Sequence, residues 1–279
     1  MMIEFSKYQA LGNDFILIDA VRQAVKPGLD FDSTAVKALC ARRYGIGADG
    51  VIFAVPGIMY DLQMILYNSD GSPAEISGNG LRCFALFAEE KGLVKEKKIH
   101  VETGGGSVKL DILSRRSVRV GMPPPKFDRK EVPMIGEGEC NDCEIILAGR
   151  KFIAAAVNIG NPHCVIFEKM SRDEAQYWGP LIENSPYFPE KTNVEFVKII
   201  SPETIELLVW ERGAGLTEAC GSGSCAAVSA GIKTGRLNFN IPVKVKQPGG
   251  ILTVTVTDDF KEVLLEGEAC KVYDGRLEL

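Results

Sequence analysis

Ser77 and Cys220 stand at matching places in the chain, each directly before a Gly-x-Gly: Ser77-Gly78-Asn79-Gly80 and Cys220-Gly221-Ser222-Gly223. A glycine-rich turn that opens a helix presents unpaired backbone N–H groups and the positive end of the helix dipole. Such a start can hold a carboxylate on its amides, with glycine letting the backbone come close. It also lowers the pKa of a cysteine placed beside it. Two of them working on one molecule would put an acid/base group on each face of the α-carbon next to that carboxylate. One group then removes the α-proton and the other delivers a proton from the opposite side, which inverts the stereocentre. The amides stabilise the negative charge that grows on the carboxylate meanwhile, and no cofactor is required. Taken singly, each half has an ordinary explanation: a turn, a small buried cysteine, a serine N-cap. Only the pairing points to chemistry.

The elements that position these residues repeat along the chain. Ser77 and Cys220 are 143 residues apart, as are Tyr67 and Trp210, and Glu75 and Glu218. Ala10-Leu11-Gly12-Asn13-Asp14-Phe15 resembles Asn158-Ile159-Gly160-Asn161-Pro162-His163, and Thr103-Gly104-Gly105-Gly106 resembles Gln247-Pro248-Gly249-Gly250. Three matches in the same order imply two homologous halves. In each, a strand (62–66, 204–209) leads through the glycine-rich turn into a helix, from Leu81 to about Lys91 and from Ser224 to about Lys233, with Gly92 and Gly235 as stops. Alternating segments, 107–112 and 252–256, follow as half-buried strands. Runs of strands with one buried helix give an α+β class. The reading is two pseudo-symmetric domains, each with strands wrapped around a central helix and the active site in the cleft between them. The N-terminal half is residues 1–124 and the C-terminal half 125–267, with Met122-Pro123-Pro124-Pro125 as linker.

Bulk properties narrow the function classes. A net charge of −5 over 279 residues gives no electrostatic case for nucleic acid or an anionic membrane. No apolar run reaches the roughly 18 residues of a membrane span, and the first residues lack a signal-peptide pattern. The expected location is the cytoplasm, where the eight cysteines stay reduced and serve as buried or catalytic thiols. Cys140-Asn141-Asp142-Cys143 has C-x-x-C spacing, but His100 and His163 supply no second close pair of ligands, so a plain loop is favoured over a metal site.

On the segments Leu11–Phe15, Asn68–Ser72, Ser77–Cys83, Gly160–Cys164, Asn193–Phe196, Glu211–Gly215 and Ala219–Gly223, the chain resembles the diaminopimelate epimerases of the proline racemase-like superfamily over nearly its whole length. The resemblance implies interconversion of LL- and meso-diaminopimelate on the route to lysine and peptidoglycan, without pyridoxal phosphate or metal. It implies Cys220 as one catalytic thiol. The amides of Gly78, Asn79, Gly221 and Ser222 would hold the reacting carboxylate, and Asn13 would orient the reacting end. Asn68, Asn161, Asn193 and Arg212 would grip the distal end, with Arg212 on its carboxylate. Glu211 would take an ammonium group and, with His163, tune the thiol. A C-terminal strand near Glu268–Tyr273, within a segment 268–279, would return to the N-terminal half, and the chain would form a homodimer.

The departure is Ser77, where the family has its other catalytic cysteine. An engineered Cys→Ser change, a native serine/cysteine pair that works, and a natural variant with altered or lost activity all fit the sequence. So do two rival functions: a racemase or epimerase for another amino acid, and a non-catalytic amino-acid binder. The distal set of Asn68, Asn161, Asn193 and Arg212 argues for a long substrate with a second carboxylate.

Overall fold

The apolar alternating segments form strands, and the two glycine-opened segments form helices enclosed on every side. The computed structural model describes residues 2–278. In chain order the elements are β1 (Met2–Ala10), β2 (Asn13–Asp19), α1 (Ser33–Cys40), β3 (Gly50–Pro56), β4 (Leu62–Asn68), β5 (Pro73–Ala74), α2 (Gly78–Glu90), β6 (Lys98–Thr103), β7 (Gly106–Ile112) and β8 (Ser117–Met122). There follow β9 (Cys143–Leu147), β10 (Arg150–Asn158), β11 (Pro162–Ile166), α3 (Arg172–Glu183), β12 (Asn193–Ser201), β13 (Thr204–Glu211), β14 (Gly215–Thr217), α4 (Gly221–Lys233), β15 (Val243–Gln247), β16 (Gly250–Val256), β17 (Val263–Glu268) and β18 (Cys270–Glu278). The chain divides into two units: residues up to Val120 together with those from Glu266 onward, and Gly121–Leu265.

In the first unit β18 pairs antiparallel with β1, β1 with β2, β3 with β4, β6 with β7 and β7 with β8, while β2–β3 and β4–β6 are parallel. In the second unit β9 pairs antiparallel with β10, β10 with β11, β12 with β13 and β15 with β16, while β11–β12 and β13–β15 are parallel. Apart from β8, the order and the directions are the same, with β9 standing where β18 stands, so the sequence repeat is a repeat of topology. Parallel neighbours cannot be joined by a tight turn. In each unit both parallel pairs are bridged by a helix, α1 and α2 in the first, α3 and α4 in the second.

The second bridge is the central helix. Residues 79–88 of α2 and 223–232 of α4 are buried without a break, the mark of a helix with no solvent face. Helix α2 packs on β1, β2, β3, β7 and β18, and α4 on β10, β11, β12, β13 and β16. Each fully buried side chain of the size of Leu81 or Phe84 contributes about 1.5–3 kcal/mol. Both helices begin three residues earlier than the sequence suggested. The glycines form the first helical turn instead of a turn before it, because Ser77 and Cys220 act as N-caps. The stops lie where expected. Gly92 and Gly235 take φ of +62° and +72°, the left-handed conformation that ends a helix at little cost only for glycine.

Helix α3 meets β13 through Gly179. A methyl group there would fall 2.5–2.7 Å from Cγ, Cδ2 and Cβ of Trp210, the root of the indole, which cannot swing aside. Gly179→Ala is therefore expected to lower the unfolding free energy by about 1–3 kcal/mol through overpacking, read from the urea midpoint. An unchanged midpoint would mean that α3 does not bear on Trp210.

Candidate active site

The two helix starts have nearly the same geometry. Ser77 lies at φ −144°, ψ 117° and Cys220 at φ −129°, ψ 120°. Ser77 Oγ accepts the N–H of Gly80 at 3.1 Å, and Cys220 Sγ accepts the N–H of Gly223 at 3.4 Å. The backbone carbonyls of the same two residues accept the N–H groups of Leu81 and Ser224. The amides of Gly78, Asn79, Gly221 and Ser222 lie in the first turns, where helix geometry gives them no intrahelical acceptor. Amides without an acceptor at a helix start are groups that can bind a carboxylate. Cys220 is fixed further by Gln247, whose Oε1 accepts the Cys220 N–H at 2.8 Å while its Nε2 donates to Ser224 Oγ at 3.0 Å.

Around Ser77 the first unit gathers Asn13 and Asn79. Asn79 Nδ2 donates to Asn13 Oδ1 at 3.2 Å, and the fully buried Arg82 donates to Asn79 Oδ1 at 2.5 Å. Asn13 Nδ2 in turn donates to Asp49 at 2.7 Å. The neighbouring Asp14 pairs with Lys7 and Arg42, each at 2.7 Å. Burial pushes the Asp14 carboxyl up, but those two cations outweigh it and bring it down to about 2. Asn68 is exposed at the end of β4 and donates to Ser72 Oγ at 3.0 Å within its own turn.

In the second unit Asn161, His163 and Glu195 form a chain. His163 Nδ1 lies 2.7 Å from Glu195 Oε1, and Nε2 lies 2.8 Å from Asn161 Oδ1. Asn193 is buried. Its Nδ2 donates to the carbonyl of Pro162 at 2.8 Å and its Oδ1 accepts the N–H of Arg212 at 2.9 Å, so it ties the Arg212 backbone to β11. The Arg212 side chain is exposed and donates to the carbonyl of Glu190 at 3.2 Å. Glu211 accepts from Thr217 Oγ1 at 2.6 Å. The buried Glu183 accepts from Trp210 Nε1 at 2.7 Å and from the N–H of Gly213 at 3.1 Å, which fixes both ends of the stretch carrying Glu211 and Arg212.

One expectation is overturned. A cysteine at a helix start was expected to have a lowered pKa, yet the Cys220 thiol is pushed well above its ordinary value. Burial is the main cause, and the carboxylates of Glu211 and Glu195 push the same way against hydrogen bonds from Ser222 and Gly223. Burial likewise pushes Glu195 up, opposed by His163.

Residues that sequence reasoning left without a role take part here: Asp49, Arg82, Glu183, Glu195 and Gln247. An acid inside the apolar run Val194-Glu195-Phe196-Val197 was a visible signal; Glu183 carried none. Elsewhere, Cys143 Sγ accepts from Arg129 at 2.8 Å. Among the described residues no cluster of three or more His, Cys, Asp or Glu side chains could hold a metal, and no helix is long and apolar enough to cross a membrane.

The chain matches the family described as diaminopimelate epimerase over residues 5–127 and 155–272. It is 41% identical over 280 residues to the diaminopimelate epimerase of Desulforudis audaxviator, covering 98% of this chain and 99% of that one. To that of Pelotomaculum thermopropionicum it is 42% identical over 279 residues, covering 98% of each. Among solved structures, a Bacillus anthracis phenazine biosynthesis protein of the PhzF family superposes with a TM-score of 0.70 at 15% identity, covering 100% of both chains. A hydroxyproline epimerase from Agrobacterium vitis gives 0.68 at 14%, covering 99% of this chain and 91% of that chain. At such identities these structures show a shared fold.

The raised Cys220 thiol has a direct consequence. A pKa above the ordinary thiol range leaves the sulfur protonated at neutral pH and deprotonates it only in more alkaline solution. Alkylation of Cys220 by iodoacetamide, mapped by peptide mass spectrometry, is expected to be slow at pH 7 and to rise above the range of a free cysteine, about 8.5. Half-maximal alkylation below that value would contradict the assigned electrostatics.

Proposed function

The chain belongs to the diaminopimelate epimerase family, isomerases that convert LL-diaminopimelate to meso-diaminopimelate in lysine biosynthesis, and from that premise we propose which of its residues perform each part of the reaction. The amides of Gly78, Asn79, Gly221 and Ser222 hold the carboxylate of the reacting end, and Asn13, held by Asn79 and Asp49, orients it. Cys220 serves one face of the α-carbon and the residue at position 77 serves the other. The single observation that carries this reading is the shared cap geometry of Ser77 and Cys220, each with its side chain on the N–H three residues on. Two equivalent positions, each beside free amides, are what a two-base inversion needs.

Arg212 pairs with the distal carboxylate, a charge-assisted and bidentate match for its guanidinium. Asn68 and Asn161 complete the distal grip, and Asn193 acts on it through the Arg212 backbone. Glu211 takes an ammonium group and, with His163, tunes the thiol. The reading asks for no pyridoxal phosphate and no metal, and it places the protein in the cytoplasm as a homodimer.

Ser77 limits the chemistry. A serine hydroxyl is a weak base at neutral pH without a partner to activate it, whereas a thiol is within reach of ionisation. With serine in place the reaction is one-sided: Cys220 exchanges the α-proton from its own face while inversion lags. Ser77→Cys is expected to raise inversion of diaminopimelate by orders of magnitude, since it restores the missing acid/base group. Deuterium wash-in and stereochemical inversion, measured separately for LL and meso substrate in heavy water, check this. Equal inversion by the serine and cysteine forms would instead make Ser77 a native working residue, and no label incorporation in either would make the protein a binder.

Arg212→Ala is expected to weaken diaminopimelate binding by about 2–5 kcal/mol, the usual cost of removing one partner of a desolvated charge pair. Its melting temperature is expected to hold, because the side chain is exposed. Calorimetry showing unchanged affinity would remove Arg212 from the distal site.

A further inference from the structure

Glu195 is a carboxyl group in an unlikely place. It lies in the apolar first half of β12 between Val194 and Phe196, and both it and His163 are 0% exposed. A buried acid is costly unless hydrogen bonds and charges around it compensate. Here only half of it is compensated. Oε1 meets His163 Nδ1 at 2.7 Å, and Oε2 has no hydrogen-bond partner.

The position of Oε1 relates Glu195 to the thiol. A Cβ built on Gly223 would lie 2.9 Å from it, so any residue with a side chain at 223 would meet the carboxyl group. Glycine lets the carboxyl group press against the first turn of α4. The N–H of that same glycine donates to Cys220 Sγ at 3.4 Å. The titratable groups whose charge bears on Glu195 or is affected by it include His163 and Cys164 from β11, Glu211 from β13, and Cys220 at the cap of α4.

We propose that Glu195 is a positioning residue for the reaction at Cys220: its carboxylate, wedged between His163 and the first turn of α4, holds the sulfur in its thiol form until substrate binds. The inference rests on the reading of Cys220 as an acid/base group. A negative charge beneath the helix start offsets the positive field of the first-turn amides and disfavours a second negative charge on sulfur. Hydrogen bonding to His163 anchors the carboxylate, and Glu211 acts on the thiol in the same direction. A bound substrate ammonium group would offset both acids and let the thiolate form beside the α-carbon. The resting enzyme thereby keeps its buried thiol un-ionised and unreactive toward oxidants and alkylating agents, which attack the thiolate.

The charge is tested by Glu195→Gln, which keeps the shape and an acceptor for His163 but removes the negative charge. In the full chain, alkylation of Cys220 by iodoacetamide is followed against pH by peptide mass spectrometry. Glu195→Gln is expected to lower the midpoint by about one pH unit, a roughly tenfold faster reaction at any pH below it. Glu195→Asp keeps the charge and is expected to leave the midpoint near that of the parent, as is Glu206→Gln on the exposed side of β13. A midpoint unchanged or raised in folded Glu195→Gln would overturn the proposal and leave Glu195 a purely structural anchor for His163. If Glu195→Gln does not fold, the parent chain carries the test. With glutamate carboxyl carbons labelled, the Glu195 resonance, assigned with Glu195→Asp, is expected to show an inflection at the alkylation midpoint of Cys220, as coupled sites do. Its absence would likewise overturn the proposal. Neither measurement uses diaminopimelate, so failure here is distinct from failure of the epimerase reading, which turnover by Ser77→Cys decides.

Discussion

The structure turns on the hydrogen bond between a cap side chain and the N–H three residues on, made at the start of a helix that has no exposed face. A helix in water can leave its first N–H groups to solvent, but one buried along ten residues, as α2 and α4 are, has to satisfy or use them. One amide of each first turn goes to the cap. Others have no acceptor within the helix, and the cap side chain is thereby held beside them. The strands around each helix follow from the same need, since they bury it. The parallel pairs β4–β6 and β13–β15 are the crossovers that return the chain past it.

Burial also decides the contest over the thiol. A helix dipole stabilises a charge at its start by about 0.3–1 kcal/mol, and up to about 2 kcal/mol in a partly buried setting. Desolvating an ionisable group fully can shift its pKa by about 3–5 units, with each unit worth 1.36 kcal/mol. The larger effect wins at Cys220, which is 5% exposed and has two carboxylates nearby. The other buried thiols show the same physics without a helix start of their own: burial raises Cys83 to about 12 and Cys40 to about 11. What the helix start gives Cys220 is therefore not an ionised resting state but a geometry. The thiol sits next to first-turn amides that helix geometry leaves without an intrahelical acceptor.

What the sequence revealed was local or repeated. The helix stops at Gly92 and Gly235 follow from one residue's backbone freedom, and the strand–turn–helix unit shows twice. The starts were placed three residues late because glycine reads as a turn former, and only the cap bonds reveal that Gly78 and Gly221 are already helical. The equivalence of Ser77 and Cys220 came from comparing the halves, not from either one. Contacts between residues far apart in sequence were not readable. Asn193 anticipates no bond to the Arg212 backbone, nor Glu183 to Trp210 and Gly213, because nothing in spacing or residue type links them until β11, β12, β13 and α3 are packed. Arg82 shows the same limit. Nothing in its residue type or spacing announces that in the fold it is fully buried and bonded to Asn79 and to the carbonyls of Gly78 and Glu268.

Ser77 and Cys220 are alike as caps and unlike as reagents, and the two properties pull in opposite directions. Serine is among the best N-caps, worth about 1 kcal/mol over residues that cannot accept the bond. Sulfur is a weak acceptor, and the longer contact at Cys220, 3.4 Å against 3.1 Å, is what its size imposes. A thiol at that position gives up helix stability and is placed where burial opposes its ionisation, so stability alone favours serine at both caps. Under the proposed function, sulfur at Cys220 supplies chemistry that oxygen performs badly. The neighbouring contacts fit that account. Gln247 holds the Cys220 N–H and Ser224, and Ser224 Oγ donates back to the Cys220 carbonyl at 2.7 Å, so three further hydrogen bonds reinforce the helix start that the weaker cap leaves less secure. At Ser77 the oxygen cap is the stronger of the two, while the Arg82–Asn79–Asn13 chain fixes the first turn. In the proposed reaction, the half with the better cap is the half with the poorer base.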